Sequence, residues 1–137
     1  MVRVPDGWQV VTPYLLYEDL EGTSEWLCRV FGFTERTRMT DDEGRANHIE
    51  LESNGGIVMM GTPSADYRNP DHLGGVTQFN YVYVDDVDAH HARALGAGAK
   101  IVRELTDESY GDRNYGAQDP EGHQWWFAQH LGESQKS

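Results

Sequence analysis

The chain repeats one pattern of elements twice, and that repetition restricts its fold more than any other feature. Val10-Val-Thr-Pro-Tyr-Leu-Leu-Tyr-Glu-Asp-Leu20 and Thr77-Gln-Phe-Asn-Tyr-Val-Tyr-Val-Asp-Asp-Val87 both alternate aromatic or branched residues and then meet acidic ones. Such alternation favours a strand, and the acidic residues suit the start of a helix by capping it and complementing its dipole. Glu18-Asp-Leu20 lines up with Asp85-Asp-Val87 at an offset of 67 residues (85 − 18). Helices are predicted over about 20–31 and 87–95, stopped by Gly32 and by Gly96 or Gly98. Three short strands should follow each helix. The first set covers 34–40, 46–53 and 57–61, broken at Asp41-Asp-Glu-Gly44 and Asn54-Gly-Gly56. The second covers 100–105, 113–118 and 123–129, with Asp119-Pro-Glu-Gly122 as the last tight turn. The expectation is one α+β domain of two βαβββ modules, about 8–62 and 76–131, joined by a polar linker over 63–75.

Composition narrows the partners. With 137 residues the chain has enough length for one domain with a buried core. Its 11 Lys and Arg stand against 23 Asp and Glu, a net charge of −12. That field repels phosphate, which counts against nucleic acid and anionic membranes and favours cationic partners. The simpler reading is that it keeps a cytosolic protein in solution. The single Cys28 leaves no internal disulfide and no Cys-rich zinc site. No apolar run reaches the roughly 20 residues of a membrane helix, and Met1-Val-Arg-Val-Pro-Asp6 lacks a signal-peptide core. A cytoplasmic location is expected.

The doubled pattern, the Leu16-Tyr-Glu-Asp-Leu20 junction and, above all, Tyr110-Gly-Asp-Arg-Asn-Tyr-Gly-Ala-Gln-Asp-Pro-Glu-Gly-His-Gln-Trp125 resemble the vicinal oxygen chelate superfamily. That group includes glyoxalase I, bleomycin-resistance proteins and extradiol dioxygenases. The likeness is greatest to bleomycin-resistance and PhnB-like members, and runs from about Val10 to His130. It implies curled sheets that form a cavity, helices outside, and a homodimer. Its enzymes hold a divalent metal with His, Gln and Glu from the first and last strand of each module. Those positions fall here on Thr12, Met59, Phe79 and Trp126, none of them an ordinary ligand. The expectation is therefore no metal and no cofactor.

Period-two alternation then sorts the strands into faces. One face carries Thr12, Tyr14, Leu16, Ile57, Met59, Gly61, Phe79, Tyr81, Tyr83, Gln124, Trp126 and Ala128. The other carries Leu15, Tyr17, Val58, Met60, Val82, Val84, Trp125 and Phe127, as a face beneath helices should. The first set is rich in rings with polar handles. Read without the resemblance, these rings fit core or a dimer interface; with it, they fit the walls of a ligand site. Glu50 and Glu52 share a strand face with His48 and form the most interesting ionisable cluster, equally consistent with a solvated surface. Tyr110 and Arg113 lie in the glycine-containing loop, where Arg113 would pair with Asp112, anchor the loop or meet a ligand anion. His90 and His91 are expected to face solvent, His72 to act as a lid contact and His123 to steady its turn.

The expected function is a binding protein that sequesters a small aromatic, cationic compound, as bleomycin-resistance proteins do. The expected ligand-binding residues are Thr12, Tyr14, His48, Glu50, Met59, Phe79, Tyr81, Tyr110, Arg113 and Trp126. The alternatives are a superfamily lyase, isomerase or dioxygenase with a displaced or absent metal, and an accessory domain that binds another protein.

Overall fold

The structure, a computed structural model, describes residues 1–132 and has the doubled βαβββ order. The first unit contains β1 (Tyr14–Leu16), α1 (Leu20–Phe31), β2 (Thr34–Thr40), β3 (Ala46–Ser53) and β4 (Gly56–Gly61). Its sheet runs β1-β4-β3-β2, with β1 parallel to β4 and the other pairs antiparallel. The second unit contains α2 (Pro70–Leu73), β5 (Phe79–Tyr83), α3 (Val87–Gly96), β6 (Lys100–Asp107), β7 (Asp112–Gln118) and β8 (Gln124–His130). Its sheet runs β5-β8-β7-β6, again with the first pair parallel. The fold is α+β, and each mixed four-stranded sheet is open rather than closed into a barrel.

Local chemistry explains the ends. The Asp19 carboxylate accepts the Gly22 amide at 3.1 Å to cap α1, and Gly32 closes the helix at φ 79°. Asp86 caps α3 through the Ala89 amide at 3.0 Å. Asn54 and Gly55 take φ 49° and 84°, as a two-residue hairpin between Ser53 and Gly56 requires. Five residues, 119–123, join β7 to β8. There Asp119 accepts the amides of Glu121 and His123 and the Trp125 indole N–H, all within 3.1 Å.

Each core lies between one helix and one sheet face. In the first unit Leu27, Val30, Ile49, Leu51 and Met60 are fully buried, with α1 against β2 and β3. In the second, Val87, Ala94, Tyr115, Trp125 and Phe127 are buried, with α3 against β6, β7 and β8. Each large apolar side chain contributes about 1.5–3 kcal/mol by leaving water.

Three expectations change. The first strand is short, because Pro13 has no N–H for the ladder; its carbonyl accepts the Met59 amide at 3.0 Å, and Val10 and Val11 stay exposed. The 63–75 linker holds a helical turn, α2, whose Asp71 amide reaches the Glu121 carbonyl at 3.2 Å. Tyr67 and Asn69 instead bond Leu16 and Glu18, so the chain divides between Asn69 and Pro70. His90 and His91 do not face solvent. They follow Val87 by three and four positions and turn with it toward the sheet. His90 lies 4.1 Å from the Phe127 ring and bonds the Tyr115 hydroxyl, while His91 meets Tyr115 edge-on and bonds Glu104 at 3.0 Å.

Candidate functional site

Each sheet has a second face, opposite the one packed against α1 or α3, and nine of the ten expected residues belong to these faces or their rims. On the first sheet β1, β4 and β3 place Tyr14, Met59 and Glu50 in one row, with His48 opposite Gly61 in the next. Tyr14 Oη lies 2.9 Å from His48 Nδ1, and His48 Nε2 lies 3.0 Å from Glu50 Oε2. Arg36 reaches Glu50 at 3.9 Å and Glu52 at 3.5 Å, and its guanidinium sits 5.7 Å from the Trp8 ring. Thr12 is half-buried ahead of β1.

On the second sheet, Tyr81, Trp126, Gly116 and Arg103 form one cross-strand row. Phe79 stacks on Trp126, with ring centres 4.7 Å apart and planes inclined by 23°. Gly116 makes this stack possible, since a Cβ there would lie 2.8 Å from Trp126 Cε2. Arg103 stands 5.4 Å from the same indole, so the chain's own cation already occupies a cation–π position there. Phe79, Tyr81 and Tyr83 remain 45%, 36% and 54% exposed.

Beside the stack is a polar network that sequence reasoning did not single out. Asp112 is buried and accepts Tyr81 Oη at 2.7 Å, Tyr83 Oη at 2.8 Å and His130 Nδ1 at 2.7 Å. Burial works to raise its pKa, but the three donors outweigh burial and hold the carboxyl below the usual carboxylate range. Burial, with the Asp112 carboxylate beside it, pushes the Tyr81 phenol far up. Tyr83 is pushed up chiefly by its bond to Asp112. Because Tyr81 spends its proton on Asp112, it must accept from Asn114 Nδ2, at 3.1 Å. Tyr110 Oη accepts a longer bond from the same amide at 3.4 Å. The Asn114 orientation follows, and its Oδ1 is left buried without a partner, as is Trp126 Nε1. The alternation of Asp112, Asn114 and Gly116 was readable; the pairing of Asp112 with His130 required the β7–β8 register.

Arg113 is the exception. It lies on the helix face of β7, bonded to Asp107 at 2.7 Å and to Asp88 of α3 at 3.1 Å rather than to Asp112. Alternation separates it from Asp112 and Asn114.

The positions that hold a metal in the resembling enzymes do not fit one here. Phe79 and Trp126 are stacked on each other, while Met59 offers only a thioether and Thr12 only a hydroxyl. Among the described residues, no three His, Cys, Asp or Glu side chains gather to hold a metal ion.

Two βαβββ units, each with a ring-bearing sheet face, define the paired-module class of α+β proteins. The chain belongs to the Glyoxalase/Bleomycin resistance protein/Dioxygenase superfamily, whose family model matches residues 9–127. The uncharacterized protein Mb0911c of Mycobacterium bovis is 32% identical over 128 residues, covering 90% of this chain and 84% of that protein. Among solved structures, TioX from Micromonospora sp. ML1 is 37% identical with a TM-score of 0.72, over 88% of this chain and 95% of TioX. TnmS3, an antibiotic binding protein from Streptomyces sp. CB03234, shares the fold at 18% identity and a TM-score of 0.67, over 89% of this chain and 95% of TnmS3.

Proposed function

We propose that this chain is a small-molecule-binding protein that sequesters an aromatic, cationic compound on these sheet faces without a metal. One observation carries the reading: on the second sheet, Phe79, Tyr81 and Tyr83 stand exposed beside a pre-stacked Trp126. Exposed rings in a row lose apolar hydration when a flat ligand covers them, and nearby polar groups fix its orientation. Beneath the same rings Asn114 Oδ1 and Trp126 Nε1 are a buried acceptor and donor without partners. The ligand's ring stacks on Phe79, because Arg103 already stands at Trp126. The ligand's cationic group is drawn by the net charge of −12. TnmS3, an antibiotic binding protein of the same fold, supports a binding role, and family resemblance supports a cytoplasmic homodimer, PhnB-like in type and serving antibiotic resistance.

Intrinsic tryptophan fluorescence, titrated with bleomycin and with simpler aromatic cations, tests this. Micromolar affinity, about −8 kcal/mol, suffices for sequestration. Phe79→Ala and Trp126→Ala should each weaken binding roughly tenfold or more. If both variants bind every positive compound as tightly as the wild type, the aromatic-face reading fails. Elemental analysis after purification without chelator should find no stoichiometric divalent ion; one tightly held ion per chain would overturn the metal-free reading.

A further inference from the structure

The chain of Tyr14, His48 and Glu50 on the first sheet has an order that ligand binding does not use. The Glu50 carboxylate can only accept, so His48 Nε2, 3.0 Å from Glu50 Oε2, carries the ring proton. In that tautomer the ring presents Nδ1 as an acceptor, and the group 2.9 Å away is the Tyr14 hydroxyl. A hydroxyl on a base, with the base oriented by a carboxylate, is the arrangement that activates a nucleophile. Burial differs along the chain as that role requires. Glu50 and His48 have side chains only 13% and 17% exposed, whereas Tyr14 is 50% exposed and open to a reactant. The charged group from the neighbouring strand is Arg36 of β2, which lies on the far oxygen of Glu50 at 3.9 Å. β4 contributes Met59 and Gly61, and the absence of a side chain at Gly61 leaves space for the hydroxyl, since a Cβ there would lie 2.7 Å from Tyr14 Oη.

We propose that Tyr14 is a nucleophile toward activated esters, with His48 as its general base and Glu50 as the residue that positions His48. In the step, a bond forms between Tyr14 Oη and the acyl carbon while the hydroxyl proton passes to His48 Nδ1. The ester C–O bond breaks, and its electron pair leaves with the alcohol oxygen. His48 then returns the proton to that oxygen, or to water where the leaving group is a stable phenolate. Glu50 balances the imidazolium in between.

The full chain treated with p-nitrophenyl acetate provides the test, with acetylation read residue by residue by peptide mass spectrometry. Tyr110 is the internal control, because it is also 50% exposed but has no imidazole partner. Tyr14 should acetylate roughly a hundredfold faster than Tyr110, the low end of what general-base assistance contributes. Tyr14→Phe removes the label, and His48→Gln brings Tyr14 down to the rate of Tyr110. In His48→Gly, added imidazole raises the labelling of Tyr14 relative to Tyr110, a ratio that cancels the N-acetylimidazole formed from imidazole and the ester, which acetylates any exposed tyrosine; a merely structural histidine would leave that ratio unchanged. Glu50→Ala slows the reaction and Glu50→Asp recovers part of it, with circular dichroism confirming that each variant is folded. Equal rates at Tyr14 and Tyr110, wild-type labelling in His48→Gln, or no rescue by imidazole would each overturn the proposal. Labelling is read at Tyr14 in the first unit, and the ligand reading rests on how Phe79→Ala and Trp126→Ala in the second unit change the titration, so either reading can fail alone.

Discussion

The two units share a backbone and differ in what they place on it. Tyr14 pairs in register with Met59, and Tyr81 with Trp126, so the sequence offset of 67 reappears as a structural one. On the next strand the counterparts of His48 and Glu50 are Asn114 and Gly116, since His48 opposes Gly61 as Asn114 opposes Ala128. In the first unit the tyrosine meets a base, and in the second it is locked between a carboxylate and an amide donor. The first arrangement can move a phenolic proton; the second holds one in place. Packing diverges in the same way. Glu50 stands beside the slender Met59, whereas Gly116 leaves space for the Trp126 indole.

The largest expected effect is at the centre of the second network. Asp112→Asn leaves a carboxamide where three donors converge, and the His130 donor then faces a group that cannot accept everywhere the carboxylate did. The expected loss is about 1–3 kcal/mol in denaturant unfolding at neutral pH. The pH dependence carries the sign. A carboxyl whose folded pKa lies below its unfolded value adds stability that is fully present above the unfolded pKa and disappears as pH falls through the folded one. The wild type should therefore lose part of its stability below about pH 4, and Asp112→Asn should lose less over that range. Identical acid limbs in the two proteins would show that Asp112 is no better held when folded. In the first unit, His48→Gln disturbs two bonds, to the half-exposed Tyr14 and to Glu50, and should cost less than losing a carboxylate on which three donors converge.

Glycine-to-alanine changes compare the units more directly. In Gly116→Ala the new Cβ meets Trp126 Cε2 at 2.8 Å and Val102 Cγ2 at 3.0 Å, and the indole is held by Phe79. A destabilisation of about 1–3 kcal/mol is expected, with loss of ligand affinity in the fluorescence titration. In Gly61→Ala the Cβ meets Tyr14 Oη, the far end of an exposed side chain that can swing out. Stability should stay within about 0.5 kcal/mol of the wild type, while Tyr14 labelling falls because the hydroxyl leaves His48. If Gly61→Ala proves the more damaging of the two, the first face is the more rigid and the comparison is reversed.

Much of this was readable in the residues because local rules decided it. Helix α1 was expected over its observed range, since Asp19 and Gly32 supply both ends. Of the residues that alternation assigned to the face beneath helices, Leu15, Tyr17, Val58, Met60, Trp125 and Phe127 are buried, while Val82 and Val84 are half-buried. What depended on loop length was not readable. Two residues join β3 to β4 but five join β7 to β8, so the offset slips from 67 to 66 and Gly116, not Ala117, stands where Glu50 does. That slip concealed the role of Asn114 and the meeting of Asp112 with His130. The histidines of α3 were misjudged for a related reason, as polar residues on a short helix disclose their direction only once Val87 is known to point inward.

Arg113 gives the smallest effect, and its value lies in what it excludes. It neighbours Asp112 in the chain, yet its guanidinium lies across the sheet among Asp107 and Asp88. Asp107 and Arg113 each hold the other in its charged form, the carboxyl below its usual range and the guanidinium above its own. The pair is open to solvent, where side-chain entropy and salt screening cancel most of the attraction. Arg113→Ala should therefore leave the fluorescence titration superimposable on the wild type and shift the melting temperature less than any change above. A clear loss of affinity would place the ligand on the helix side of β7, and would remove the ground for assigning the site to the face of Phe79 and Trp126.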